Sequence, residues 1–175
     1  MNDALFDLPA SPLPEWAKKL AVFDLETTGL DLREARIVTA CATTIDENGQ
    51  IIGDEIEWLA DPGIEIPAMA ASVHGVTTER ARSEGRPAAE VVSEIVEKLR
   101  SFFEAGVPVV AYNAPYDFTI LREEAKRHEM HREAIEPVAK LCTRRVAHVA
   151  SDAARRQNEV EHEDERVRDP GRKEA

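Results

Sequence analysis

The clearest pattern in the chain is an apolar run that two carboxylates interrupt. Leu20, Ala21, Val22 and Phe23 are β-type residues, and 20-LAVFDLETTGLD-31 then sets Asp24 and Glu26 on either side of Leu25. Side chains alternate along a strand, so Asp24 and Glu26 project from one face. Gly29 marks where the chain turns out of that strand. Next, 36-RIVTACATTI-45 predicts a second strand, Glu47-Asn48-Gly49 a turn and 50–59 a third strand, together a meander. Residues 62–74 read as an irregular loop with a short helix. Apolar residues at 91, 92, 95, 96, 99, 102 and 103 follow a helical period over 87–103. Pro87 suits the first turn of that helix and Gly106 its stop. Residues 108–112 predict another short strand, and 116 to about 131 a helix.

A meander followed by helix, strand and helix gives an α/β fold, a mixed sheet with helices packed on it. Sites in open α/β sheets collect at strand ends, where Asp24 and Glu26 lie. The second polar intrusion, 109-VVAYNAPYDF-118, places Asn113 and Asp117 after the other buried strand, with Asp117 in the first turn of the next helix. If the two strands are neighbours, Asp117 approaches the Asp24–Glu26 pair. Like charges at that range raise each other's pKa and destabilise the fold unless something positive sits between them. Three converging carboxylates without a nearby Lys or Arg make an oxygen-ligand set for Mg²⁺ or Mn²⁺. Two such ions can clamp a phosphodiester.

Composition narrows the setting. A chain of 175 residues suits one domain. Its ends differ from its middle: 1–17, with Pro9, Pro12 and Pro14, read as a flexible leader and 18–141 as the folded domain. Residues 142–175 contain no Leu, Ile, Met, Phe, Trp or Tyr and are dense in charge, so they are expected to be a disordered tail. The net charge of −12 argues against a broad basic footprint, so nucleic acid would be handled locally, with metal ions neutralising phosphate and carboxylate together. Cys41 and Cys142 fit no disulfide or zinc pattern. No apolar run approaches a membrane span and the N-terminus is no signal peptide. The expectation is a soluble cytoplasmic protein.

The motifs resemble a known family. FDLETTGL is similar to the first motif of the DEDD-type 3′–5′ exonucleases (DEDDh branch), the group that includes the proofreading epsilon subunit of bacterial DNA polymerase III. AYNAPYDF resembles their second motif, and 58-WLADPGIEIPAMAASVHGVT-77 the connecting segment of the epsilon type. The resemblance implies a ribonuclease H-like fold and release of nucleotides from the 3′ end of single-stranded DNA or RNA, with DNA favoured. It also implies Mg²⁺ or Mn²⁺ as cofactor, in a pair of ions. Asp24, Glu26 and Asp117 match the metal-binding catalytic acids. Thr27, Thr28, His74 and Asn113 match positions that contact or border the terminal nucleotide. Tyr112 stands where the polymerase subunit often has His. The implied partners are the DNA polymerase III catalytic subunit and, from 4-ALFDLP-9, which resembles short clamp-docking motifs, a sliding clamp.

The family's third motif, H-x-x-x-x-D on a late helix, supplies a general-base histidine and a fourth carboxylate. No such pattern occurs here. The nearest candidates are His148 with Asp152, one residue short, and His162 with Asp164 or Asp169; both histidines, His148 being the weak candidate base, read more readily as solvated tail residues. His131 with Glu136 has the spacing but comes too early. The C-terminal part of the fold is therefore expected to be missing. Two readings follow: a metal-dependent exonuclease with impaired activity, and a nuclease-fold module that binds a polymerase or a nucleic-acid end without cleaving it.

Overall fold

The computed structural model of the protein describes residues 14–130. Most of the expected leader and all of the expected tail, including His148, Asp152 and Cys142, lie outside the described residues, as do His131 and the 4–9 segment. After a short 3-10 helix, Glu15–Ala17, the chain forms β1 (Lys19–Thr27), β2 (Ile37–Asp46) and β3 (Ile56–Asp61). Two short helices follow, α1 (Ala68–His74) and α2 (Thr78–Glu84), then the two-residue strand β4 (Arg86–Pro87) and the long α3 (Ala88–Glu104). The last elements are β5 (Val109–Val110) and α4 (Ala114–Arg127). The strands lie in the order β4-β3-β2-β1-β5. β1, β2 and β3 are antiparallel neighbours, whereas β5 runs parallel to β1 with Val22 opposite Val110. This is the expected mixed α/β sheet with flanking helices, and the two strands that carry the acids are adjacent.

Alternation decides which face is dry. Ala21, Phe23 and Leu25 of β1 are buried, as are their cross-strand partners Ala42 and Ala40 and, beyond them, Trp58 and Ala60 of β3. On this face α3 lays the stripe Val91, Val92, Ile95, Val96, Leu99 and Phe102, all buried as the helical period predicts. Each such side chain contributes about 1.5–3 kcal/mol of transfer free energy. α4 adds Phe118, Ile120, Leu121 and Ala125, and the Phe118 ring meets Phe23 with centroids 5.8 Å apart. The alanines of β2 leave room for helices at close range.

Two segments depart from the sequence pattern. The third strand, predicted over 50–59, begins only at Ile56, after a lone bridge between Ile45 and Ile51. Gly53, Asp54 and Glu55 break the run there, and Ile51 and Ile52 are left exposed. α2 carries almost no apolar signal, since Thr78 and Ala81 are its buried residues. Caps hold it instead: the Thr77 side chain accepts the Arg80 N–H at 3.2 Å, and the Thr78 hydroxyl accepts the Ile66 N–H at 2.9 Å. At its end Gly85 lies so close to β3 that a Cβ would fall 2.6 Å from the Asp61 backbone nitrogen. None of the described helices is long and apolar enough to cross a membrane.

α4 is fastened to the β1–β2 loop by charge. Glu124 is fully buried; its Oε1 accepts from Arg36 Nε at 2.6 Å and from Arg127 Nη1 at 2.8 Å. Arg127 also donates to the carbonyls of Ala35 and Arg33. His128 Nε2 lies 3.2 Å from Oε2. Removing one partner of a buried pair leaves the other charge uncompensated. Glu124→Ala should therefore lower unfolding free energy by about 2–4 kcal/mol, less than a fully enclosed pair because Arg36 and Arg127 can reach water. Urea denaturation checks this.

Candidate active site

β1 delivers Asp24 and Glu26 to the face opposite the helical core, and the sheet register continues that face outward. Cys41 lies across from Asp24 and Glu57 across from Cys41; Thr39 lies across from Glu26 and Leu59 across from Thr39. These two rows floor a cleft of about 500 Å³. Its side wall is His74, Val76 and Arg80, from the end of α1 to the first turns of α2.

Asp117 arrives from α4. Because β5 is parallel to β1, the chain leaves both strands at the same end of the sheet, and α4 starts beside the exit of β1. Asn113 begins the turn: its carbonyl accepts the Tyr116 and Asp117 N–H groups at 2.8 and 3.1 Å. Asp117 is only 3% exposed, and its Oδ2 has no hydrogen-bond partner among the described residues. Burial, then the charge of Asp24 and more weakly that of Glu26, pushes its pKa up to about 7. Asp24 is also raised, mainly by burial, against a lowering hydrogen bond from the Leu25 backbone. The Cys41 thiol is pushed up by burial and by Asp24, Glu57 and Glu26.

The threonines that follow Glu26 make hydrogen bonds within the protein. Thr27 Oγ1 and Tyr116 OH lie 2.8 Å apart, and both reach the Gly29 carbonyl, at 2.8 and 2.5 Å. Thr28 is buried, its hydroxyl accepts the Arg36 N–H at 3.0 Å, and its own N–H donates to the Arg36 carbonyl. Both hydroxyls are engaged inside the protein, where they hold the strand exit. His74 does reach the cleft. Its Nδ1 accepts the Val76 N–H at 3.2 Å, so the neutral ring carries its proton on Nε2, a buried atom without a partner.

The acids fit a hard cation by donor type and by their mutual repulsion, and the orphaned Asp117 Oδ2 is an acceptor that a cation would satisfy. Among the described residues no three His, Cys, Asp or Glu side chains gather closely enough to hold an ion by themselves. Like charges with nothing positive between them stand apart, so any ion here would draw further oxygens from water or substrate.

The chain is similar to known proteins. The family described as RNase_T, exonuclease, matches residues 21–169, and the chain belongs to that family. It is 35% identical over 104 residues to a DNA polymerase III subunit epsilon-like protein of Rhodobacter capsulatus, covering 59% of this chain and 14% of that protein. It is 33% identical over 101 residues to a PolC-type DNA polymerase III of Thermotoga petrophila, covering 58% of this chain and 7% of the relative. The chain thus spans a small part of these relatives. Among solved structures, exonuclease I of E. coli bound to a dT13 oligonucleotide superposes with a TM-score of 0.56 at 21% identity, over 67% of this chain and 25% of that one. Exonuclease I of Methylocaldum szegediense gives 0.54 at 24%, over 63% and 24%. These likenesses establish the ribonuclease H-like exonuclease fold.

The raised Asp117 carboxyl has a consequence for stability. Unfolded, it titrates near 3.8; folded, near 7, so between those values the folded state holds the extra proton. Metal-free stability should fall as pH rises from about 4 to 7, by on the order of 3 kcal/mol from this group. Asp117→Asn should remove that decline and melt higher than the wild type at pH 8, in chelator, while losing the advantage at pH 4. Thermal melts across this range check it.

Proposed function

We propose that this protein is a metal-dependent 3′–5′ exonuclease that acts on single-stranded nucleic-acid ends, DNA in preference to RNA. The observation that carries the reading is the buried Asp117 carboxylate, without a partner among the described residues, within electrostatic reach of Asp24 and Glu26, which line an open cleft. A purely structural protein gains nothing from carboxylates so arranged, whereas a divalent-ion site requires them. Bound Mg²⁺ or Mn²⁺ would supply Lewis-acid charge to the scissile phosphate and lower the pKa of an attacking water. Asp24, Glu26 and Asp117 would hold the ions. The His74 Nε2–H is a donor for a substrate oxygen, and Asn113 fixes the turn that presents Asp117. Leu30 and Tyr112, 87% and 86% exposed, stand at the same end of the sheet as surfaces for unstacked bases. Family membership supports nuclease chemistry, and the names of the polymerase III relatives support a replication setting with a polymerase as partner.

A general base is not among the described residues, and the family's H-x-x-x-x-D pattern is absent from the sequence. Loss of a general base alone typically slows such chemistry about 10²–10⁴-fold. With no base supplied by the described residues, the expected behaviour is slow removal of nucleotides from a 3′ end, faster with Mn²⁺ and rising with pH as hydroxide serves in place of a base. Asp24→Asn should abolish it and lower Mn²⁺ binding in calorimetric titration. Equal Mn²⁺ binding by the two proteins would refute the site. Metal binding without any release of nucleotides from a 5′-labelled single strand would instead favour the non-cleaving module.

A further inference from the structure

The cleft is larger than its acids require. At about 500 Å³ it has room for a nucleotide as well as ions. Its floor carries Asp24, Glu26 and Glu57, and among the described residues lining it Arg80 is the one cationic side chain. A polynucleotide entering an acidic cleft needs positive charge for the phosphates that the ions do not reach.

Arg80 is built to supply it. It lies on α2, which the Thr77 cap and the Thr78–Ile66 hydrogen bond hold in place. Glu84, one turn on, accepts from Arg80 Nε at 3.0 Å, which orients the guanidinium. Neither Nη nitrogen donates to a protein acceptor among the described residues. A guanidinium held by Nε, with its terminal pair free, is the fork that grips phosphate oxygens. The Arg80–Glu84 pair is solvent-exposed, so it contributes little to stability and substitution at either position leaves the fold intact.

We propose that Arg80 binds a backbone phosphate of a single-stranded polynucleotide whose 3′ end lies over Asp24 and Glu26. This rests on the nuclease reading, and the experiment separates the two. A fluorescently labelled dT12 strand is titrated with the full chain in Ca²⁺, which keeps the strand from being consumed, at several salt concentrations. Arg80→Gln should weaken binding about tenfold and reduce the salt slope by about 0.7, the contribution of one phosphate contact in a single strand. Glu84→Gln, which keeps an acceptor for Arg80 Nε and removes only the negative charge, should bind at least as tightly as the wild type. Asp24→Asn should lose the Ca²⁺-dependent part of binding yet keep the part that depends on Arg80. Unchanged affinity and slope in Arg80→Gln would overturn the proposal, as would weakened binding in Glu84→Gln, which would trace the loss to disturbance of α2. If Asp24→Asn bound like the wild type while Arg80→Gln still failed, the metal reading would fall and the phosphate contact would stand. A wild type that did not bind the strand would overturn both.

Discussion

Burial of one carboxylate, Asp117, beside two others at the exit of β1 is the constraint around which this protein is arranged. Asp117 is 3% exposed, faces two other acids, and has no cation beside it among the described residues. An unfavourable cluster of this kind persists only where the surrounding structure over-determines it. Here the determination comes from the opposite face of the sheet. The apolar stripe of α3 and the buried residues of α4 pack on Phe23, Leu25 and the alanines of β2. That packing fixes α4 against β1 whether or not Asp117 is comfortable.

α4 is also pinned at both ends to the loop that leaves β1. At its N-terminus the Tyr116 hydroxyl holds Gly29 and Thr27; near its C-terminus Glu124 and Arg127 hold Arg36, Ala35 and Arg33. These contacts are polar and directional, unlike the core, so they set orientation more than they add stability. Strand exit and helix start thereby move as one body. The separation of Asp24 from Asp117 is governed by contacts made away from the three acids, an arrangement that would suit a site holding ions to fixed geometry.

Much of this was legible in the sequence because it is written in short-range periodicity. The D-x-E alternation puts two acids on one face, the 91–102 stripe makes α3, and AYNAPYDF places Asp117 in a first helical turn. What was illegible depends on long-range register. Nothing local says that Cys41 and Glu57 line up across from Asp24, or that Arg80 reaches the same cleft; only the pairing of β1, β2 and β3 and the seating of α2 bring them there. α2 itself escapes the hydrophobic pattern because caps and one glycine fix it. Thr27 and Thr28 match substrate-contact positions by the family resemblance; that their hydroxyls also satisfy a turn carbonyl and an amide is visible only once the loop back to Arg36 is closed.

Charge then shapes how a substrate can enter. The chain carries −12, and the cleft floor repeats that sign with Asp24, Glu26 and Glu57. Without ions, a polyanion meets repulsion from the whole molecule and from the site, and a single arginine on the wall cannot reverse it. Each divalent ion held by the acids changes the local balance by two charges, enough to turn a repelling floor into an attracting one within a Debye length of about 8 Å at physiological salt. If the acids hold ions as proposed, admission and chemistry are coupled: the ions that would activate a scissile phosphate would also let a strand approach. On the proposed reading Arg80, on the wall beside the acids and always charged, would give that approach a direction, drawing a strand along the α1–α2 wall toward the exit of β1.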